Sequence, residues 1–188
     1  MRRALAALIT TACASASAAE VESLQIEHAA PRYRMHLSAR LDTPLAASFG
    51  VFRDFANLPR INDAIELVQP LPGAPDGAQR LYTRVRVCIW YFCTHLDQVQ
   101  DIVEVHDDDA LGLDAEVLPE QSNLRYGRAR WRMQHCGERT CLDFTAELEP
   151  DFWVPPIIGP WAIERAMRNE ALQTAQGIER IARAETRR

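Results

Sequence analysis

The chain contains no lysine; all 21 of its basic residues are arginine. Alanine is abundant as well, so the bias reads as a matter of coding composition and carries no functional weight. Basic residues are outnumbered, 21 against 26 acidic, for a net charge of −5. That balance excludes nucleic acid or an anionic lipid surface as the main partner, because both need concentrated positive charge. Past the N-terminal segment no apolar run is long enough for a membrane-spanning helix. Internal repeats and low-complexity tracts are absent, and so is a Gly-x-Ser-x-Gly nucleophile motif. The carboxylates of "EVHDDDALGLD" (Asp107, Asp108, Asp109) lack the ligand spacing of an EF-hand loop and read as a solvated turn.

What is present begins with a leader. Arg2 and Arg3 precede a short apolar run, Ala4–Ala14, and small residues follow. Ala16-Ser17-Ala18 or Ser17-Ala18-Ala19 then serves as the cleavage site, so residues 1–19 read as a secretory signal peptide. A lipobox at Cys13 is the weaker reading, since Thr10 stands where leucine is usual. Residues 20–188 are expected to form one domain in the periplasm or outside the cell, with a charge of −7 once Arg2 and Arg3 are removed from −5.

Alternation in "RYRMHLSARL" (32–41) puts Tyr33, Met35, Leu37, Ala39 and Leu41 on one face of a strand. A helix follows, with Thr43 as N-cap, Pro44 at its first position and Leu45, Phe49 and Phe52 as its stripe. "NLPRIN" suits a second helical turn. Further strands are expected at 64–71, 79–88, 93–105, 111–118, 123–136 and 141–149. A long helix from Pro160 to about Ala184 carries Met167, Ala171, Ala175, Ile178 and Ala182 on its apolar face.

Cys88, Cys93, Cys136 and Cys141 remain after processing, an even count that suits an oxidising compartment. Placing Cys88 opposite Cys93 sets Arg86 against His95, Arg84 against Asp97 and Arg80 against Asp101. The outer face then sorts its charges, and Ile89, Trp90, Tyr91 and Phe92 form a hairpin tip. Placing Cys136 opposite Cys141 sets Gln134 against Asp143, Arg132 against Thr145, Arg130 against Glu147 and Arg128 against Glu149. Trp131, Met133 and Phe144 fall on the inner face. Two local disulfides follow. The recurring Cys-x4-Cys also invites a zinc reading. Three strands separate the two turns, however, which places them at opposite ends of a meander. No metal and no cofactor is expected.

A strand, two short helices, an antiparallel run and a closing helix resemble the helix-grip arrangement of the START-like polyketide cyclase/dehydrase (SRPBCC) superfamily. "LDTPLAASFGVFRDFANLPRINDAIELVQPL" and "ELEPDFWVPPIIGPWAIERAMRN" carry the likeness, which is nearest to the coenzyme-Q-binding and lipid-transfer branch. The resemblance implies an α+β fold: a curved antiparallel sheet of about seven strands wrapped round the C-terminal helix. It also implies an apolar cavity for a lipid, quinone or polyketide-like molecule. Binding or transport of such a molecule, without catalysis, is the leading reading; a superfold alone does not assign function.

The cavity wall would include Tyr33, Met35, Leu37, Val85, Trp131, Met133, Phe144, Met167 and Ala171. Thr83, Gln98 and Gln100 point inward among them and would orient the ligand. The bland alternative satisfies these three with one another, with water, or by a bulge that turns them outward. His135 is the one candidate base for a cyclase or dehydratase, and no nucleophile partners it. The aromatic tip at 89–92 has three readings: it closes the barrel, meets a membrane interface, or docks an envelope protein. "FWVPPIIGPW" (152–161) would form a lip of the cavity.

Overall fold

The computed structural model describes residues 19–89, 92–107, 109–155 and 158–187; of Ile89 and Phe92 only the backbone is described. The expected leader therefore lies outside the described residues apart from Ala19, and so do Trp90, Tyr91 and Asp108. Eight strands run in chain order as β1 (Glu20–Ala29), β2 (Arg32–Leu41), β3 (Ile65–Leu71), β4 (Ala78–Ile89), β5 (Phe92–Asp107), β6 (Ala110–Val117), β7 (Leu124–Cys136) and β8 (Arg139–Pro150). They form one antiparallel sheet in the order β1-β2-β8-β7-β6-β5-β4-β3, open at β1 and β3. Helices α1 (Leu45–Arg53) and α2 (Leu58–Ile61) follow β2, and α3 (Gly159–Thr186) closes the chain. The architecture is the expected α+β helix grip with one strand more than foreseen.

That extra strand is β1. It pairs with β2 through Leu24↔Leu37 and Ile26↔Met35, but a register shift between Val21 and Ser23 breaks the alternation. Val21 and Leu24 then share a face three residues apart, which hides the strand from a period-two reading.

The β4–β5 register is the one expected, with Cys88↔Cys93, Arg86↔His95, Arg84↔Asp97 and Arg80↔Asp101. Ile89 stands opposite Phe92 at the hairpin end. The β7–β8 register differs from expectation by two residues. Cys136 faces Arg139, Gln134 faces Cys141, Arg132 faces Asp143, Arg130 faces Thr145 and Arg128 faces Glu147. The reason is the turn: Gly137, at φ 67°, supports a two-residue connection in place of a four-residue loop. A slip of two leaves every side chain on its original face but changes the partners: Trp131 meets Phe144 instead of Ala146, and Met133 meets Leu142 instead of Phe144. Both cysteine pairs lie within bonding distance, with Cα separations of 4.0 Å for Cys88–Cys93 and 5.6 Å for Cys136–Cys141.

Salt bridges on the outer face run between strands rather than within the β7–β8 hairpin. Arg128 reaches Glu116 and Arg132 reaches Asp114 on β6, while Glu147 of β8 takes Arg32 and Arg34 from β2. His95, on the same face, meets Glu66 at 3.1 Å.

Thr43 does not cap α1 as expected; Pro44 occupies that position, with no side-chain cap. The Thr43 hydroxyl instead lies 2.7 Å from Ser48 Oγ, and Thr140 Oγ1 donates to the Thr43 carbonyl at 2.8 Å. These buried hydroxyls tie the start of α1 to β8. The far half of α3 is held harder still. Ala175, Ile178 and Ala182 are fully buried, and the Asp42 N–H donates to the Glu179 carboxylate at 3.0 Å. Gly177 lies so close to α2 that a Cβ there would fall 1.8 Å from the Ile61 carbonyl oxygen. The near half of α3 buries only Gly159, Ala162 and Met167 up to position 168.

Candidate functional site

The inner layer is read directly from register. Successive rows across the sheet run Ile102, Ala115, Ala129, Ala146, Met35, and then Glu104, Leu113, Trp131, Phe144, Leu37. Three neighbouring alanines would let a helix approach closely. Even so, α3 comes nearest the backbone of β1, β2 and β4, at the flanks. The sheet therefore curls round α3, with the alanine row at its middle.

Tyr33, Met35, Leu37, Met133 and Phe144 are buried in this layer, together with Met167 and Ala171 of α3; Val85 is buried on β4. Trp131 is half-buried, stacked on Phe144 with ring centroids 3.7 Å apart, and Phe52 of α1 lies 4.8 Å from it. These aromatics fill the end of the interior under α1.

The polar part of the layer sits on β4 and β5. Thr83 pairs with Gln98, and Leu81 with Gln100. Thr83 is 2% exposed and its hydroxyl has no hydrogen-bond partner among the described residues. Gln98 and Gln100 are half-buried. An unsatisfied buried hydroxyl costs stability, so this one is unusual in a layer otherwise well packed.

Two further inner residues belong with them. Continuing the alternation of β5 beyond Ile102 brings Glu104 and His106 to the same face, a signal that the sequence already carries. Glu104 meets Arg53 of α1 at 3.4 Å and His106 at 3.1 Å, and Phe49 stands edge-on to His106. His135, opposite Thr140 near the end of β7, is exposed, and no hydrogen bond or ion pair reaches it among the described residues.

At the other end of the sheet, where α3 begins, a hollow of about 480 Å³ is lined by residues that include Tyr33, His28, Phe152, Trp153 and Pro160. His28 stacks on Tyr33 at 4.3 Å. Burial first, and then the Glu164 carboxylate of α3, push the Tyr33 phenol up. Of the lip expected at 152–161, residues 156 and 157 lie outside the described residues; Trp153, Ile158 and Phe152 are exposed, at 79%, 63% and 50%. A larger groove of about 970 Å³ crosses the outer face between the rows His36–Thr145–Arg130–Asp114 and Arg34–Glu147–Arg128–Glu116. It is lined by many charged side chains, several of them paired (Arg34 with Glu147, Arg128 with Glu116, Arg130 with Asp114), which leaves the inner layer as the better candidate for a hydrophobic ligand. Among the described residues no group of three or more His, Cys, Asp or Glu is placed to hold a metal ion.

Comparison with known proteins agrees with this geometry. The Zhui aromatase/cyclase of a Streptomyces species superposes with a TM-score of 0.66 at 14% identity, covering 82% of this chain and 96% of that one. A STAR-related lipid transfer protein from Xanthomonas axonopodis gives 0.57 at 12% identity, covering 88% and 99%. Human STARD10 gives 0.62 at 9% identity, covering 85% and 72%. The fold is START-like. No family model and no curated protein matches the chain. At these identities the likeness establishes the START-like fold, and any activity has to be argued from the site.

Proposed function

We propose that this START-like protein is an exported, non-catalytic carrier or sensor that buries a hydrophobic small molecule between its sheet and α3. The unpartnered Thr83 hydroxyl carries the reading: a group that costs stability in the empty protein has a use if a ligand completes it. Solved structures of this fold include a lipid transfer protein, so the same architecture serves lipid cargo elsewhere. The wall is Tyr33, Met35, Leu37, Val85, Trp131, Met133, Phe144, Met167 and Ala171. The ligand enters past the lip, because the far half of α3 is clamped and the near half is lightly buried.

Two cystine pairs and the leader-like N-terminus support export. Cleavage after Ala18 also suits the fold, since Ala19 is packed into the core at 8% exposure. The reading is tested by native mass spectrometry of protein exported with its own leader, followed by organic extraction of whatever co-purifies. A lipid, quinone or polyketide at near-unit occupancy supports it; protein that stays empty after exposure to total lipid extract sinks it.

A second reading rests on the lip. Phe152, Trp153 and Ile158 form an exposed apolar patch of the kind that marks an interaction surface. On this reading the lip meets a membrane or an envelope protein during ligand delivery. Trp153→Ala would then reduce transfer to acceptor vesicles with no loss of melting temperature; unchanged transfer rules it out. The alternative of cyclase or dehydratase chemistry gains no support from His135, which stands at the opposite end of the sheet from the lip.

A further inference from the structure

We infer that the interior site selects uncharged ligands bearing a hydrogen-bonding oxygen, such as a ketone or alcohol, over carboxylates and other anions. The inference rests on the carrier reading and adds a chemical class to it.

The argument has a donor side and a charge side. Thr83, Gln98 and Gln100 stand together on the inner faces of β4 and β5. The Thr83 hydroxyl is buried without a partner, and neither glutamine amide has a hydrogen bond among the described residues. Their donors are neutral, so they match the lone pairs of a carbonyl or hydroxyl oxygen. The patch is small and the surrounding layer apolar, which suits a largely hydrocarbon molecule with one polar end.

An anion finds no counter-charge there. Arginines of the paired strands occupy outer positions: 34 and 40 on β2; 80, 84 and 86 on β4; 128, 130 and 132 on β7. The one fully charged side chain that the register places on the inner face of β5 is Glu104, itself an acid. Arg53, which approaches from α1, already pairs with that carboxylate at 3.4 Å. Bringing a carboxylate or sulfonate inside would desolvate a charge without neutralising it. The interior therefore discriminates by charge as well as by hydrogen bonding.

The experiment uses the full oxidised protein and three naphthalene probes of similar size. They are a neutral ketone (2-propionylnaphthalene), its hydrocarbon counterpart 2-propylnaphthalene, and the anion naphthalene-2-sulfonate. The ketone is expected to bind at least about tenfold tighter than either of the others. Thr83→Val should lower ketone affinity about three- to tenfold and leave the hydrocarbon unchanged, while raising the melting temperature of the empty protein. Gln98→Leu should act on the ketone in the same direction. Ketone and sulfonate binding alike, or ketone affinity indifferent to Thr83→Val, would overturn the selectivity while the carrier reading stands. Failure of all three probes to bind would overturn both.

Discussion

Gly177→Ala tests whether α3 is positioned by backbone contact with α2. Helix propensity alone makes the change favourable by about 0.8–1.0 kcal/mol. The structure reverses the sign. A Cβ at 177 would lie 1.8 Å from the Ile61 carbonyl oxygen, 2.6 Å from its carbon and 2.9 Å from its Cα. All three atoms are backbone, so no rotamer change relieves the clash. Reaching even the 3.0 Å below which Cβ contacts are essentially never seen requires the two helices to part by about 1.2 Å. Ile61 and Ile178 are almost wholly buried there, and separation forfeits their packing. Overpacking of this kind costs about 1–3 kcal/mol, and the rigid backbone puts it at or above the upper end. Net of propensity, a loss of about 2 kcal/mol is expected, or about 4–8 °C in Tm for a chain of this size. Urea unfolding followed by circular dichroism measures it, and Gly50→Ala supplies the control. Gly50 is exposed in α1, and a Cβ added to it would meet nothing within 4 Å, so there propensity should prevail. A Gly177→Ala protein as stable as the parent, alongside a normal Gly50→Ala, would refute the contact.

Four further outcomes are expected. Thr140→Val should destabilise by about 1–3 kcal/mol in chemical unfolding, because it strips a donor from the Thr43 carbonyl and a neighbour from Ser48. Thr83→Val, at similar burial but with no partner to lose, should move stability the other way; equal signs would undo the reasoning. Glu170 on α3 is raised, chiefly by burial, while the Asn62 amide donating to it at 2.7 Å opposes that shift and Asp63 adds to it. A raised acid binds its proton more tightly in the folded state, so its contribution is present at acid pH. It is lost as pH climbs above the ordinary glutamate value of about 4.3. Glu170→Gln should flatten that slope in a pH series of melting temperatures and stabilise the protein at pH 7; an unchanged slope would assign the pH dependence elsewhere. Finally, intact-mass and N-terminal sequencing of exported protein should find Ala19 or Glu20 first and four hydrogens fewer than the fully reduced chain. A start at Met1, or a lipid on Cys13, would remove the case for simple export.

Much of the scaffold is visible in the residues themselves. Strands β3 to β8 fall within about two residues of where alternation puts them, and α3 runs from Gly159 to Thr186 around the stripe anticipated for it. The β4–β5 register follows from charge sorting, since Arg86, Arg84 and Arg80 find His95, Asp97 and Asp101 in one alignment. The same reasoning misplaces β7–β8 because both alignments pair arginines with acids or polar groups, and only the turn at Gly137 separates them. Of the candidate site, the inward aspect of Thr83, Gln98 and Gln100 was legible from the first hairpin. Glu104 and His106 needed only the same alternation carried further. Their partner Arg53 did not, because α1 is brought to β5 by the fold.

A period-two pattern determines which face each side chain takes, and that property is local. Every even slip preserves it, so the sequence alone decided inside from outside and settled which cysteines are neighbours along the chain. Tertiary structure decided what lies opposite each group. It set the two-residue shift of β7 on β8, the addition of β1 across a bulge, the contact of Gly177 with Ile61 and the exposure of Trp153. It also left the Thr83 hydroxyl without a partner. Hydrogen-bond satisfaction and backbone clearance depend on atoms scores of residues away, and no local pattern carries them.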